Sequence, residues 1–279
     1  VLVFDGVNFS MLFDGSDVGL AGAKLSGFAL LSPTELLLSF ASAESVPGIA
    51  DIVDDSDIVK FTGTQFGSDT QGSFELYFDG SDVDLDGSAE DVDAFAILPD
   101  GRLLVSITGS STVGNLSVRD DDLIALTPTS LGENTAGSWE IYLDGSDVGL
   151  SGEDVHGVTV GVNGDIYLNV QNDFAVGGVA GDDEDIFVFR PTTLGNSSSG
   201  TFASTLYFDG SDFGISDAEL TGFDLVPANS LPLRDGGSAA SAQASPMFLA
   251  SSTATTSASK DNFTKDPETL IPAAEPIPL

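Results

Sequence analysis

One sequence motif recurs four times along the chain at a constant spacing of 65 residues. The first copy is Phe-Asp-Gly-Ser-Asp-Val-Gly-Leu at residues 13–20, and closely similar copies occupy residues 78–85, 143–150 and 208–215. A constant period indicates a tandem array of structural units, each of which packs against its neighbours. This period constrains the fold more than any other feature of the sequence.

Each full unit contains four short apolar stretches of strand length, labelled A to D in chain order. In the second unit these stretches are residues 92–98, 102–108, 123–127 and 138–143. The turn Pro99-Asp100-Gly101 between A and B is a hairpin signal. Because short links between successive strands make antiparallel neighbours, each unit is predicted to be a four-stranded meander.

Tandem four-stranded meanders predict an all-β fold, namely a small β-propeller of four blades. Residues 1–4 and 9–13 would supply strands C and D of the last blade, and residues 220–226 its strand A. The apolar segment 246–250 is the candidate for strand B, so that both chain ends would close this blade. An edge-capped β-solenoid or a stacked array is the competing architecture, and its exposed strand edges would need protection.

The composition changes near residue 228, which predicts a repeat domain in residues 1–228 and a tail in residues 229–279. Residues 236–259 are rich in Ser, Ala and Thr, and residues 267–279 are rich in Pro, Glu and Ala. Such low-complexity segments lack the apolar side chains needed to order themselves. The tail is therefore predicted to dock on the propeller or on a neighbouring subunit, for which strand addition is one route.

The second unit carries a recognisable combination of segments. Tyr-Phe-Asp-Gly-Ser-Asp-Val at residues 77–83 is followed by Glu-Asp-Val-Asp-Ala-Phe at 90–95 and by Leu-Pro-Asp-Gly-Arg at 98–102. Together these segments resemble a tandem repeat of secreted bacterial proteins, and the resemblance covers about residues 1–228. It implies secretion and a propeller-like fold, and it carries over no catalytic residues. The first unit departs from the pattern at residues 24–28, where the acidic pair is lost.

The formal net charge is −36, from 44 acidic and 8 basic residues. A nucleic-acid-binding protein needs a basic surface, so this class is excluded, and docking on anionic lipid is disfavoured. The chain has no cysteine, which excludes disulfides and thiolate metal sites. No apolar run approaches the roughly 18 residues of a membrane span. Because the sequence starts at Val1 rather than Met, we expect a processed or truncated protein that is secreted, periplasmic or displayed at the cell surface.

Most carboxylates fall on the links from D to A and from B to C, which share one end of an antiparallel meander. The opposite end is sparse, with Asp100, Glu133 and Asp165. Crowded carboxylates repel one another, and calcium, which takes roughly six to eight oxygen ligands, would relieve this repulsion. Calcium is therefore predicted as the bound ion. Its predicted ligands are Asp14, Asp17, Asp79, Asp82, Asp144, Asp147, Asp209 and Asp212 in the motif copies, and Asp57, Asp122 and Asp185 in the links from B to C.

Two other interpretations of these carboxylates stay open. Asp-Gly and Gly-Ser-Asp are ordinary turn sequences, in which the aspartate bonds to its own backbone. An acidic surface is also a general adaptation to a salty medium.

His156 occupies a position in strand A that Asp93 holds in the second unit and Thr221 in the fourth. A catalytic histidine needs a nucleophile and an orienting acid, and the many Ser and Asp residues single out no such set. His156 is therefore predicted to be an ordinary strand residue near the central channel, and no catalytic site is predicted.

These observations predict a non-catalytic extracellular structural protein, an acidic calcium-binding propeller that is a building block or accessory subunit of a larger assembly. Its partners would be copies of itself or other subunits, bound through the tail. The alternative is a module that binds carbohydrate or another cell-surface ligand, and a secreted hydrolase is the third class. A hydrolase would show one unit with polar residues that the others lack, as the third unit does mildly with His156, Asn169, Gln171 and Asn172.

Overall fold

The computed structural model describes residues 1–216, 218–226 and 247–252, which form an all-β fold of antiparallel sheets. No helix within these ranges is long and apolar enough to cross a membrane. The strands are β1 Leu2–Phe4, β2 Phe9–Met11, β3 Leu25–Ser32, β4 Glu35–Phe40, β5 Ile58–Gln65, β6 Gln71–Phe78, β7 Val92–Ile97, β8 Leu103–Ile107, β9 Ser111–Val113, β10 Leu116–Val118, β11 Leu123–Ser130, β12 Ala136–Leu143, β13 Val155–Val160, β14 Ile166–Val170, β15 Phe174–Val176, β16 Val179–Gly181, β17 Phe187–Thr193, β18 Ser199–Phe202, β19 Leu220–Val226 and β20 Met247–Ser252.

Three sheets each come from one continuous segment of the chain. Their strand orders are β3-β4-β5-β6 in sheet 1, β7-β8-β11-β12 in sheet 2 and β13-β14-β17-β18 in sheet 3. The predicted four-stranded meander of each unit is thereby confirmed. In sheets 2 and 3 the link between the second and third strands carries an extra hairpin, β9-β10 or β15-β16, which was not predicted.

Sheet 4 draws its strands from both parts of the chain, in the order β19-β20-β1-β2. Strand β20 pairs with β19 on one side and with β1 on the other, where Leu2 lies opposite Ala250. This strand contains most of the segment predicted to supply strand B, and it lies inside the predicted tail. The other residues of the tail, and with them its predicted docking, lie outside the described residues.

The apolar core is divided into four clusters, each of which lies between two sheets. Fully buried members are Phe78 and Leu126 between sheets 1 and 2, Leu104 and Phe187 between sheets 2 and 3, Ile186 and Phe223 between sheets 3 and 4, and Val3 and Phe61 between sheets 4 and 1. Burying one such side chain contributes about 1.5–3 kcal/mol. The first strands also contact one another in turn, β3 with β7, β7 with β13, β13 with β19 and β19 with β3.

A short helical turn follows the last strand of each sheet and leads into the next sheet. The four turns are Gly15–Val18, Ser81–Val83, Gly145–Val148 and Gly210–Phe213, so each lies on one copy of the motif. Glycine ends three of them with a positive φ, and Asp84 ends the second with a φ of 69°. A left-handed residue at this position turns the chain out of the helical turn and toward the next first strand.

Candidate functional site

The first aspartate of each motif copy bonds to the serine of its own turn, and in the first, third and fourth copies it is the N-cap. In all four copies its Oδ1 accepts the hydroxyl of the serine two residues later, at 2.5–2.7 Å. These aspartates are Asp14, Asp79, Asp144 and Asp209. Bonds of this kind stabilise turns and satisfy the free N–H groups at the start of a helical turn.

Three carboxylates from the second-to-third strand links hold the motif from one side. Oδ1 of each accepts the N–H of a motif glycine at 2.9–3.0 Å. Oδ2 accepts the N–H of the residue three positions earlier at 2.8–3.0 Å. The pairs are Asp57 with Gly80, Asp122 with Gly145 and Asp185 with Gly210. The predicted proximity of these links to the motif is confirmed.

Hydroxyl side chains of the following sheet hold the motif from the other side. The N–H of Asp79 donates to Oγ1 of Thr135 at 3.0 Å, and equivalent bonds join Asp14 to Thr70 and Asp144 to Ser198. These hydroxyls lie in the links between the third and fourth strands of sheets 1, 2 and 3. The second and third motif copies, which have both kinds of bond, therefore bridge two consecutive sheets. We call the first aspartate, the glycine, the link carboxylate and the hydroxyl together the turn joint.

The predicted segregation of carboxylates to one end of the sheets is wrong for Glu133. This residue lines the same cavity as Asp57 and Asp79, although its link was expected at the opposite end. The reason is that the link between the third and fourth strands of sheet 2 packs against the turn that leaves sheet 1, as the bond from Asp79 to Thr135 requires.

The residues predicted to bind calcium belong to the turn joints or lie beside them. Among the described residues, none of them is part of a group of three potential metal-ligand side chains whose donor atoms lie within 4.8 Å of one another. Burial raises the pKa of Asp57, Asp122 and Asp185 above the ordinary aspartate value, against the opposing effect of the N–H bonds. A carboxylate oxygen that accepts one N–H keeps acceptor capacity, so calcium ligation at the joints stays a prediction.

A second group of carboxylates surrounds His156 at the start of the first strands. Nε2 of His156 lies 3.6 Å from Oδ2 of Asp93 and 3.8 Å from Oδ2 of Asp154. Nδ1 lies 3.7 Å from Oε1 of Glu219. We call these four residues the central cluster. They come from sheet 2, sheet 3 and the segment that enters sheet 4, so no single repeat contains the cluster.

β-Bulges place the two strand residues of this cluster. The pairing register shifts between Val92 and Ala94 in β7 and between Val155 and Gly157 in β13, which leaves Asp93 and His156 at the bulges. A bulge leaves one residue out of the strand ladder and re-aims its side chain. Strand β19 has its bulge at Thr221, so the predicted equivalence of Asp93, His156 and Thr221 is confirmed.

The central cluster is strongly perturbed by burial. Desolvation, with the nearby charge of Asp154, raises the pKa of Asp93 to about 8, and desolvation raises that of Asp154 to about 6. Desolvation also lowers the pKa of His156. At neutral pH the imidazole is therefore neutral and the aspartate pair retains a proton. Such a group can hold a cation or exchange a proton. The description of His156 as an ordinary strand residue missed this environment.

The other polar residues of the third unit have a structural explanation. Asn169 is fully buried and donates through Nδ2 to the backbone oxygens of Asp183 and Asp185, at 2.8 and 3.0 Å. The hydroxyl of Ser106 faces the equivalent backbone oxygens in the second unit. Asn169 therefore holds a link in place, while Gln171 and Asn172 are exposed.

Comparison of the chain with protein-family models, curated proteins and solved structures found no match. Its function is therefore inferred from the turn joints and the central cluster themselves.

Proposed function

We propose that the protein is a non-catalytic extracellular structural protein that serves as a building block or accessory subunit of a larger assembly. The observation that carries this proposal is the turn joint. In the second and third motif copies, backbone N–H groups donate to a link carboxylate of one sheet and to a hydroxyl of the next sheet, so the recurring link carboxylates have an architectural role. Secretion is proposed from the acidic, cysteine-free composition and from the resemblance to secreted repeat proteins.

The proposed architecture of the building block is a four-bladed β-propeller in which each sheet is one blade. Support comes from the four apolar clusters between consecutive sheets and from the contacts that join β3, β7, β13 and β19 in turn. The last blade would be shared by both parts of the chain, because β20 pairs with both β19 and β1.

Assembly is tested by removing residues 253–279, a truncation that retains β20 and therefore sheet 4. We expect the full chain to form oligomers in light scattering after size exclusion, and the truncated chain to be a monomer with an unchanged melting temperature. A second truncation at Arg234, which also removes β20, is the control for damage to the fold and should melt earlier. Oligomers of the first truncated chain, or a monomeric full chain, would contradict the proposal.

Calcium is the ion proposed for the acidic links. The support is electrostatic, since burial and neighbouring carboxylates raise the pKa of Asp121 to about 6 and that of Glu184 to about 7. An ion that binds only the folded protein raises its stability by about 2.7 kcal/mol at a hundredfold excess over Kd. We expect the melting temperature to rise with calcium more than with sodium chloride of equal ionic strength. Equal rises would instead favour ordinary turn chemistry or general salt adaptation.

A further inference from the structure

We propose that the central cluster is a binding site for a first-row transition-metal dication such as Zn²⁺, with His156, Asp93 and Asp154 as its ligands. Nε2 of His156 and one oxygen of each aspartate would contact the ion, and Glu219 would orient the imidazole from the opposite ring nitrogen. This site is separate from the turn joints, so the proposal does not depend on calcium binding there.

The distances suit an ion better than they suit direct hydrogen bonds. Nε2 lies 3.6 Å from the nearer aspartate oxygen and 3.8 Å from the other, beyond hydrogen-bond range. The three donor groups nevertheless have ligand atoms that all lie within 4.8 Å of one another. Zinc bonds of about 2.0–2.2 Å at a tetrahedral angle hold two ligand atoms about 3.4 Å apart. Small side-chain movements would therefore close the site around an ion.

The cluster also lacks the partners that buried polar atoms normally have. His156 is only 8% exposed, and neither ring nitrogen lies within hydrogen-bond distance of a partner among the described residues. Oδ2 of Asp93, the oxygen that faces Nε2, is buried and accepts no hydrogen bond, and neither does Oδ1 of Asp154. Leaving a buried polar group unsatisfied costs about 1–3 kcal/mol. A metal ion would supply the missing positive partner to all three side chains.

The two ring nitrogens face different surroundings, as they do in known metal–histidine sites. Nδ1 faces the carboxylate of Glu219 at 3.7 Å, which favours the tautomer with its proton on Nδ1. The lone pair of Nε2 then points toward Asp93 and Asp154. A carboxylate on the far nitrogen that fixes tautomer and ring orientation is the usual second partner of a ligating histidine.

The donor set selects the class of metal. Calcium prefers roughly six to eight oxygen ligands, whereas imidazole nitrogen suits zinc, iron, nickel or copper. Further negative charge comes from Asp91 and Asp120, which act on Asp93, and from Asp183, which acts on His156. Apart from the ligands themselves, the charged groups that act on them are carboxylates. A dication would offset this negative charge.

The test uses the full chain after dialysis against a chelator, with Zn²⁺ binding measured by calorimetry and the ligand set probed by the visible spectrum of bound Co²⁺. We expect one equivalent to bind at micromolar concentration. His156→Gln and Asp93→Asn should each weaken binding at least about 100-fold. Glu219→Gln should weaken it about 10–100-fold and alter the Co²⁺ spectrum, as expected for a positioning residue.

The matched control is Asp122→Asn, which changes a buried carboxylate of a turn joint and should leave Zn²⁺ binding unchanged. Circular dichroism melts of every variant separate lost binding from lost folding. The proposal is overturned if the full chain binds no Zn²⁺ at micromolar concentration, if folded His156→Gln binds as the parent does, or if millimolar calcium displaces the ion. Each of these results leaves the proposed structural role of the turn joints standing.

Discussion

Gly145 packs against the backbone of the neighbouring link so closely that no larger residue fits. A Cβ atom on this glycine would lie 1.9 Å from the backbone oxygen of Asp121. Gly80 would meet Ser56 at 2.5 Å and Gly210 would meet Glu184 at 2.3 Å, so the first glycine of the motif is set by space as well as by turn geometry. In the first copy a Cβ atom on Gly15 would meet Leu20 at 3.3 Å, which is far less severe.

Gly145→Ala should therefore destabilise the protein by about 1–3 kcal/mol, the usual cost of overpacking. Gly15→Ala is the matched control at the same motif position, and we expect a smaller loss from it. Urea denaturation followed by circular dichroism measures both free energies of unfolding. Equal losses at the two glycines would show that turn conformation, and not contact with the link, is what the glycine provides.

At the level of single residues, the sequence predicted the turns but not the central cluster. Asp122 and the motif at Gly145 could be placed near each other because both lie on links at the same end of the predicted meander. Glu219 and Asp93 reach His156 only because three sheets meet, and the position of one sheet against another is set by packing. The acidic residues just before the first strands, together with a histidine at the strand start, were the available signal.

Between elements, a buried hydroxyl helps to fasten the link of one sheet to the turn of the preceding sheet. Thr135 is 4% exposed, accepts the N–H of Asp79 and donates to the backbone oxygen of Gly132 at 2.8 Å. Thr135→Val keeps the shape but removes both bonds, so we expect a loss of about 1–3 kcal/mol. Thr112→Val, at an exposed position, should change stability by less than about 0.5 kcal/mol. Both free energies of unfolding are measured by chemical denaturation, and equal losses in the two variants would contradict this role of Thr135.

The strands themselves were largely predictable, and the deviations have local causes. Strand C of the second unit was predicted to end at Thr127, just before Pro128, which has no N–H to donate. In the structure β11 continues to Ser130, since it pairs with β8 only as far as Leu126 and needs no donor on that side beyond it. The hairpins β9-β10 and β15-β16 were missed because their three-residue strands are too short to show a period.

For the molecule as a whole, buried carboxylates predict an unusual dependence of stability on pH. Burial raises the pKa of Asp93 to about 8, that of Glu184 to about 7 and that of Asp154 to about 6, all above the ordinary values of 3.8 for Asp and 4.5 for Glu. Between the ordinary and the raised pKa values, the folded protein binds more protons than the unfolded chain. Its stability therefore falls as pH rises from about 4 to 8. The lowered pKa values of His156 and of the amino group of Val1 act in the opposite sense.

We therefore expect the melting temperature, measured without divalent ions at low ionic strength, to decrease from pH 5 to pH 8. Asp93→Asn should flatten the upper part of this curve, between pH 6 and 8, because it removes the group whose pKa is about 8. A melting temperature that rises with pH in both proteins would show that these carboxylates are ionised in the folded state.

The pairing of β1 with β20 determines when sheet 4 can be completed during folding. Leu2 lies opposite Ala250, so the ladder of β1 is complete only after β20, which follows it far along the chain, has been synthesised. Loop closure over such a separation is entropically costly and slow, and contacts far apart in sequence are associated with slow folding. Sheets 1 to 3 can form one after another as their residues are synthesised, because each comes from one continuous segment. The open edge of β1 would meanwhile be exposed to other nascent chains, so chaperone binding to the N-terminal strands should outlast the appearance of sheet 3.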